Sequence, residues 1–176
     1  MNPFWQNIFR HQKDKQTLHY FLSQVPMFAK LTTRELRFLE KLVHVRNFEA
    51  EEPVFSTGDI GSGMYIVRTG QVRIFVPRHE GTERELALLE PGDFFGEVAL
   101  TASRPRSASA RATTATVLVG LFRSDMVEAI RSHPAPMAKI LLGLNRVLGD
   151  RLLQCSLQLD QFLDDAERSA RDQGHD

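Results

Sequence analysis

The stretch FFGEVALTASRPRSASARA, residues 94–112, sets a carboxylate at Glu97 and a guanidinium at Arg106, with an apolar run and a proline between them. Pro91-Gly92-Asp93 just before it carries the chemistry of a turn out of a strand. Gly96 permits a close backbone approach. Glu97-Val98-Ala99-Leu100 suit one short helical turn, whose free N–H groups make an anion site. Arg104-Pro105 ends that turn and sends the chain back into a strand, so Arg106 returns toward the start of the turn. A guanidinium beside orphan amides forms a phosphate cradle. Glu97 cannot favour a phosphate, but it can accept a hydrogen bond from a sugar hydroxyl. A sugar on one side and a single phosphate on the other is the chemistry of a nucleotide.

Working outward, the segment sits inside a run of period-two pattern. From about residue 47, VRNFEAEEPVFSTGD, MYIVRTGQVRIFVPRH, ERELALLEPGDFFGE and SARATTATVLVGLF are short runs rich in Val, Ile and Phe. Turn residues separate them at Gly58-Asp59, Thr69-Gly70, Glu80-Gly81 and Pro91-Gly92-Asp93. Strands joined this tightly pair antiparallel, and this many of them make a sandwich, barrel or jelly roll. Before them, residues 17–46 read helical. Leu18, Phe21, Leu22 and Val25 form one stripe, Pro26 breaks it, and Thr32-Thr33 ahead of Glu35 is a capping signal. Leu36, Leu39, Leu42 and Val43 continue the apolar face.

After the strands the period returns to 3.6. SDMVEAIRSH predicts a short helix capped by Ser124 and stopped before Pro134. A long helix follows over about 136–165, with Leu141, Leu144, Leu148, Leu152, Cys155, Leu159 and Phe162 at coiled-coil spacing. One small β-roll cannot cover such a helix along its length, so a homodimer seam is expected, with Cys155 as a buried seam or core thiol. At the N-terminus, Trp5, Ile8 and Phe9 suggest a short amphipathic segment. It either packs back onto the domain or serves as a foot for a membrane surface or a protein partner. The division predicted is an amphipathic arm at 1–19, a β-roll with its leading helices at 20–132, a signalling or dimerisation helix at 133–165, and a frayed polar tail at 166–176.

Composition excludes several classes. Apolar residues make up 42% of the 176, enough for a packed core. Lys plus Arg and Asp plus Glu are 22 each, which gives no global basic excess for nucleic acid. A lone cysteine allows no internal disulfide, and no apolar run reaches the length of about 18 residues that a membrane span needs. MNPFWQNIFRHQKDK lacks the apolar centre of a secretory signal, so a cytoplasmic location is expected. The six histidines are scattered, so no metal site of the cupin kind is expected. No P-loop, nucleophile elbow or zinc-protease motif appears, so no catalytic residues and no enzyme activity are expected.

The segment GEVALTASRPRSA resembles the phosphate-binding cassette of the cyclic nucleotide-binding domain family. In that family Gly-Glu-x-Ala-Leu is followed, after a short variable stretch that often ends in Pro, by Arg-x-Ala. Gly96, Glu97, Ala99, Leu100, Pro105, Arg106 and Ala108 stand at the family's spacing. FLSQVPMFAKLTTRELRFLEKL, VFSTGDIGSGMYIVRTGQVRIF and LLEPGDFFGE are similar to the family's leading helices, early strands and approach to the cassette. The resemblance covers about residues 20–155 and departs at Glu49-Ala50-Glu51-Glu52, where the family commonly has a Gly. It implies an α+β fold: an antiparallel β-roll (a jelly roll, the cupin-like double-stranded β-helix) with N-terminal helices and a long C-terminal helix.

The resemblance further implies cAMP as ligand, with cGMP as the alternative, and no cofactor. Glu97 would take the ribose 2′-hydroxyl and Arg106 the cyclic phosphate. Amides near Gly96, Val98 and Ala99, with Ser107 and Ala108, would complete the cradle. Ile74 and Leu86 would line the base, and Arg151, Cys155 or Ser156 would lid it from the last helix. Ser107 does not decide between the two bases. The expected function is a sensor that passes ligand binding through its C-terminal helix to a protein partner or across a dimer. The alternatives are a scaffold that binds no ligand and a transcription regulator working through a separate DNA-binding partner. Direct DNA binding is not expected, because only about a dozen polar residues follow Phe162.

Overall fold

Whether a strand reads as a continuous apolar run or as an alternation depends on how many of its faces are covered. In the computed structural model, which describes residues 17–78 and 81–173 (side chains of the last helix to residue 163), both kinds occur. The chain runs α1 (Leu18–Gln24), a 3₁₀ turn (Pro26–Phe28), α2 (Thr33–Leu42), then β1 (His44–Phe48), β2 (Pro53–Phe55), β3 (Gly63–Thr69), β4 (Val72–Pro77), β5 (Glu83–Leu89) and β6 (Phe94–Phe95). The one-turn helix α3 (Val98–Thr101) follows, then β7 (Ser109–Ala112), β8 (Thr116–Phe122), α4 (Arg123–Ser132) and α5 (Pro134–Gln173). Two four-stranded antiparallel sheets result, ordered β1-β8-β3-β6 and β2-β7-β4-β5. This is the predicted β-roll with flanking helices.

Strands β3, β6 and β8 of the first sheet are covered on both faces, while the edge strand β1 is exposed at four of its five residues. Met64, Ile66, Phe94, Val119 and Leu121 point into a core shared with α1, α2, α4 and α5, through Leu22, Phe28, Leu39, Met126, Met137, Ile140 and Leu144. Their strand neighbours Tyr65, Val67, Phe95 and Leu118 point the other way, into the space between the sheets with Phe48, Val72, Ala110 and Ala112. MYIV and VLVGLF are therefore unbroken apolar runs. The pair Phe94-Phe95 sends one ring to each core. The second sheet is more open: in β5 no residue is buried, and in β4 only Val72 and Phe75 are.

The capping signal at the start of α2 forms in full. Thr32 Oγ1 accepts from Glu35 N–H, and the Glu35 carboxylate accepts from Thr32 N–H at 2.7 Å. The same carboxylate takes two 2.8 Å hydrogen bonds from Lys139 Nζ on α5. One turn further along α5, Gly143 lies against the 3₁₀ turn, where a Cβ would come within 2.0 Å of Met27 O. Only glycine fits that contact, so α5 is pinned to the N-terminal helices at two adjacent points.

Several expectations need correction. The β pattern begins at His44, since β1 pairs with β8 from His44 opposite Gly120. Ser124 does not cap α4; the N-cap is Phe122, with no side-chain cap. The last helix starts at Pro134, not about 136, because a proline in the first turn forfeits no helical hydrogen bond. It also runs to Gln173 instead of ending at 165 in a frayed tail, since AERSARDQ is dominated by good helix formers and Gly174 comes only afterwards. The predicted stripe on it is divided. Leu144 and Leu148 pack on the domain's own core, whereas Leu152, Leu159 and Phe162 are 72%, 58% and 71% exposed. The N-terminal arm lies outside the described residues up to residue 16.

Where the family commonly has Gly, Glu51 takes a φ of 65°, and it is the one described non-glycine residue with positive φ. An L-residue there costs about 1–2 kcal/mol. Its 3.9 Å contact with Arg111 Nη1 is on an exposed side chain and contributes little. Glu51→Gly is expected to stabilise the domain by about 1 kcal/mol; a lower melting temperature for the variant would show that the Arg111 contact outweighs the strain.

The Glu35 clasp predicts a pH signature. The hydrogen bond from Lys139, then the one from Thr32 N–H, hold the Glu35 carboxyl down at about 2. Its folded value is depressed, so the contribution is present above the ordinary carboxylate value and is lost as pH falls through about 2. Lys139→Met should therefore be less stable than the parent at pH 7, with the gap narrowing below pH 4.5. Denaturant unfolding at pH 7 and pH 3 measures this, and a gap of constant size would refute it.

Candidate functional site

The turn that begins at Gly96 is built as its residue types suggest. Gly96 has a φ of 73°, and a Cβ there would sit 2.4 Å from Arg106 Nη1. Glycine thus meets two demands at once, a left-handed backbone and contact with a guanidinium. Glu97 is the N-cap of α3 and makes no side-chain cap bond, so its carboxylate is free to face elsewhere. The amides of Glu97 and Val98 donate to no carbonyl among the described residues. The Ala99 amide, expected in the cradle, is taken by Gly96 O at 3.1 Å.

Arg106 returns as predicted, on a segment zipped to the loop before β3. Arg106 N–H donates to Asp59 O at 2.8 Å, Gly58 N–H to Arg106 O at 2.9 Å, and Gly61 N–H to Arg104 O at 3.1 Å. The side chain donates from Nη1 to Gly96 O (3.0 Å) and from Nη2 to Gly63 O (2.8 Å), and its guanidinium lies 4.0 Å over the Phe55 ring. Burial pushes the guanidinium below its ordinary value, opposed by Tyr65, Asp59 and Glu97. Arginine does not lose its proton in proteins, so the group is a fixed cation with donors left over.

Glu97 faces the long helix. Its Oε1 accepts from Arg151 Nη1 at 3.0 Å, with the Glu97 side chain only 13% exposed. Arg151 Nη2 donates to Phe94 O at 2.9 Å, and the guanidinium sits 3.9 Å over the Phe94 ring. The ring that β6 directs to the helical core is thus the platform for the Arg151 guanidinium.

A cavity of about 610 Å³ joins these groups. Gly96 to Ala99 and Arg104 to Ala108 form one wall, which places Glu97, Val98, Arg106, Ser107 and Ala108 on it. Phe55, Ile74, Ala87 and Leu89 form the strand wall, and Arg151, Gln154, Cys155 and Gln158 form the helix wall. A cation and a carboxylate stand at separate points, with apolar surface beside them. This arrangement suits a ligand with an anionic end, a hydroxyl donor and a flat apolar body.

Ile74 lines the cavity, and Leu86 does not. β4 and β5 pair Ile74 with Ala87 and Phe75 with Glu85, so Leu86 is the extra residue of a bulge. It is 52% exposed, and Ala87 and Leu89 line the cavity instead. Ser156 is likewise absent from the wall: five residues past Arg151 is about 140° round a helix. Cys155, one of the residues expected to lid the site, is an exposed thiol on the cavity wall and is not a core thiol. Phe55, Gln154 and Gln158 were not anticipated. The glutamines had a signal, since Arg151, Gln154, Cys155 and Gln158 follow i, i+3, i+4, i+7 on one face. No group of three or more potential metal ligands occurs among the described residues. No helix among them is long and apolar enough to cross a membrane.

Comparison with known proteins agrees with this geometry. The profile of the cyclic nucleotide-binding domain matches residues 45–133. The chain is 38% identical over 135 residues to the cyclic AMP receptor protein of Thermus thermophilus, covering 77% of this chain and 61% of that protein. It is 32% identical over 127 residues to a cGMP-dependent protein kinase of Toxoplasma gondii, covering 63% of this chain and 12% of the kinase. Among solved structures, the Thermus thermophilus catabolite activator protein superposes with a TM-score of 0.69 at 37% identity, over 78% of this chain and 62% of that one. The chain therefore spans less than two thirds of each of these relatives. The profile covers half the chain and includes the Gly96–Arg106 cassette, and on that ground the chain belongs to the cyclic nucleotide-binding domain family.

Proposed function

We propose that this chain is a cyclic nucleotide sensor, with cAMP favoured over cGMP, that passes occupancy of its cavity through α5 to a protein partner or across a homodimer. The observation that carries the reading is the placement of Arg106 and Glu97 on one cavity wall, with Glu97 bonded to Arg151 of α5. The cyclic phosphate would take the remaining donors of Arg106 and the amides of Glu97 and Val98. The ribose 2′-hydroxyl would donate to Glu97. Ligand and helix then draw on the same carboxylate, which links the site to α5. Moving a two-state equilibrium from 1:99 to 99:1 takes about 5.5 kcal/mol of differential binding. A hydrogen bond to a charged group contributes about 1.5–3 kcal/mol. Arg106 alone falls short, so the sugar contact and the α5 wall must share the work. The dimer is supported by the exposed Leu152, Leu159 and Phe162, which keep seam spacing beyond the part of α5 that packs on its own domain.

Calorimetric titration with cAMP and cGMP tests the sensor. Arg106→Ala should weaken binding by roughly ten- to a hundredfold. Circular dichroism must accompany it, since Arg106 also holds Gly63 O and Gly96 O. No heat with either nucleotide for a folded parent, or undiminished binding by a folded variant, would sink the reading. For the dimer, sedimentation should give two copies for the parent and one for Leu152→Glu combined with Leu159→Glu; a monomeric parent at micromolar concentration removes that part.

A further inference from the structure

One face of α2 is wholly cationic, and α2 takes no part in the nucleotide cavity. The sequence TRELRFLEKL places Arg34, Arg37 and Lys41 at i, i+3 and i+7, on the side of the helix opposite the buried Leu36 and Leu39. All three side chains are exposed. The helix also carries two carboxylates, but each is turned to a neighbouring element. Glu35 holds Lys139 of α5 at 2.8 Å, and Glu40 lies 3.4 Å from His19 of α1. Among the described residues, Arg34, Arg37 and Lys41 have no ion pair. The chain is neutral overall, with 22 cations and 22 anions, so this stripe is a local arrangement and not a reflection of composition.

The contact of His19 with Glu40 also fixes where the N-terminal segment joins the domain. His19 is in the first turn of α1 and Glu40 in the last turn of α2, so residues 1–16, which lie outside the described residues, lead into the domain beside the turn that carries Lys41. That segment holds Phe4, Trp5, Ile8 and Phe9, followed by Arg10, Lys13 and Lys15 against a single Asp14. Cations beside a cluster of aromatic and aliphatic side chains suit a surface with anionic heads over an apolar interior. A duplex nucleic acid answers the cations alone, whereas a bilayer answers both. Stable attachment to a bilayer takes two such signals, and here they meet at one end of α2. We infer that α2 presents the domain to an anionic lipid surface, with residues 4–9 entering the interface beside it. This goes beyond the nucleotide reading and does not depend on it.

The test is sedimentation of the full chain with vesicles of phosphatidylcholine alone and of phosphatidylcholine mixed with phosphatidylglycerol. Trp5 is the single tryptophan, so its emission reports on the N-terminal segment. The parent should pellet with the anionic vesicles and not with the neutral ones, more weakly as salt rises, and the Trp5 emission should shift to the blue. A cation near an anionic surface contributes about fivefold in partitioning, so Arg34→Gln, Arg37→Gln and Lys41→Gln together should weaken vesicle affinity about a hundredfold. The three side chains are exposed, so circular dichroism of this variant should match the parent. Phe4→Ala combined with Phe9→Ala, which leaves Trp5 as reporter, should also weaken binding. A folded parent that stays in solution with anionic vesicles overturns the inference, even where it captures a nucleic acid or an acidic protein. So does equal binding to neutral vesicles, undiminished binding by the folded triple variant, or a Trp5 emission that vesicles leave unmoved.

Discussion

The half-buried guanidinium of Arg106 is the contact on which the site's geometry depends. A charge partly taken out of water gains from partners that replace the lost hydration. Here they come from three separate parts of the chain: the carbonyl of Gly96 at the cassette turn, the carbonyl of Gly63 at the start of β3, and the ring of Phe55 on β2. Those partners belong to both sheets. The backbone around Arg106 is zipped to residues 58–61 as well, so the side chain has little freedom to choose another position. The group that would meet a phosphate is thus held in place by the fold, which lowers the ordering cost of binding.

A second constraint follows from covering β3, β6 and β8 of the first sheet on both faces. The helical core lies on one side and the inter-sheet core on the other, so β6 must supply one ring to each. Phe94, on the helical side, then lies under the guanidinium of Arg151. A packing requirement of the sheet therefore sets where α5 meets the cassette. The same helix is fastened at its other end by Lys139 on Glu35 and by the close contact of Gly143 with Met27. Three fastenings along one helix mean that any displacement of α5 breaks named bonds and does not spread as a general loosening. Beyond them the helix carries exposed Leu152, Leu159 and Phe162, which the domain itself does not cover.

Much of this was legible in the residues. The cassette announced itself because its chemistry is local: a glycine, a carboxylate, a one-turn helix and a returning arginine lie within eleven residues. The capping box at Thr32 and Glu35 and the turn glycines are short-range signals of the same kind. The errors share a cause in long-range geometry. Leu86 was placed in the cavity by the family resemblance, and a bulge that only the pairing of β4 with β5 creates takes it off the wall. Cys155 was read as a possible core thiol because one stripe was followed along the whole of α5, and it is exposed. The domain covers only its first half, and the cavity lies against part of the second.

Sequence alone thus determined the elements, the order of their turns and the cluster of functional groups in the cassette, since each depends on neighbours a few residues away. Tertiary structure decided which strand residues line the cavity and which face of α5 closes it. It also decided that Glu97 meets Arg151, fifty-four residues further along the chain. Those outcomes depend on a bulge's parity and on the rotation of a helix about its axis. Both are set by packing and pairing between segments far apart in sequence, which no local pattern encodes.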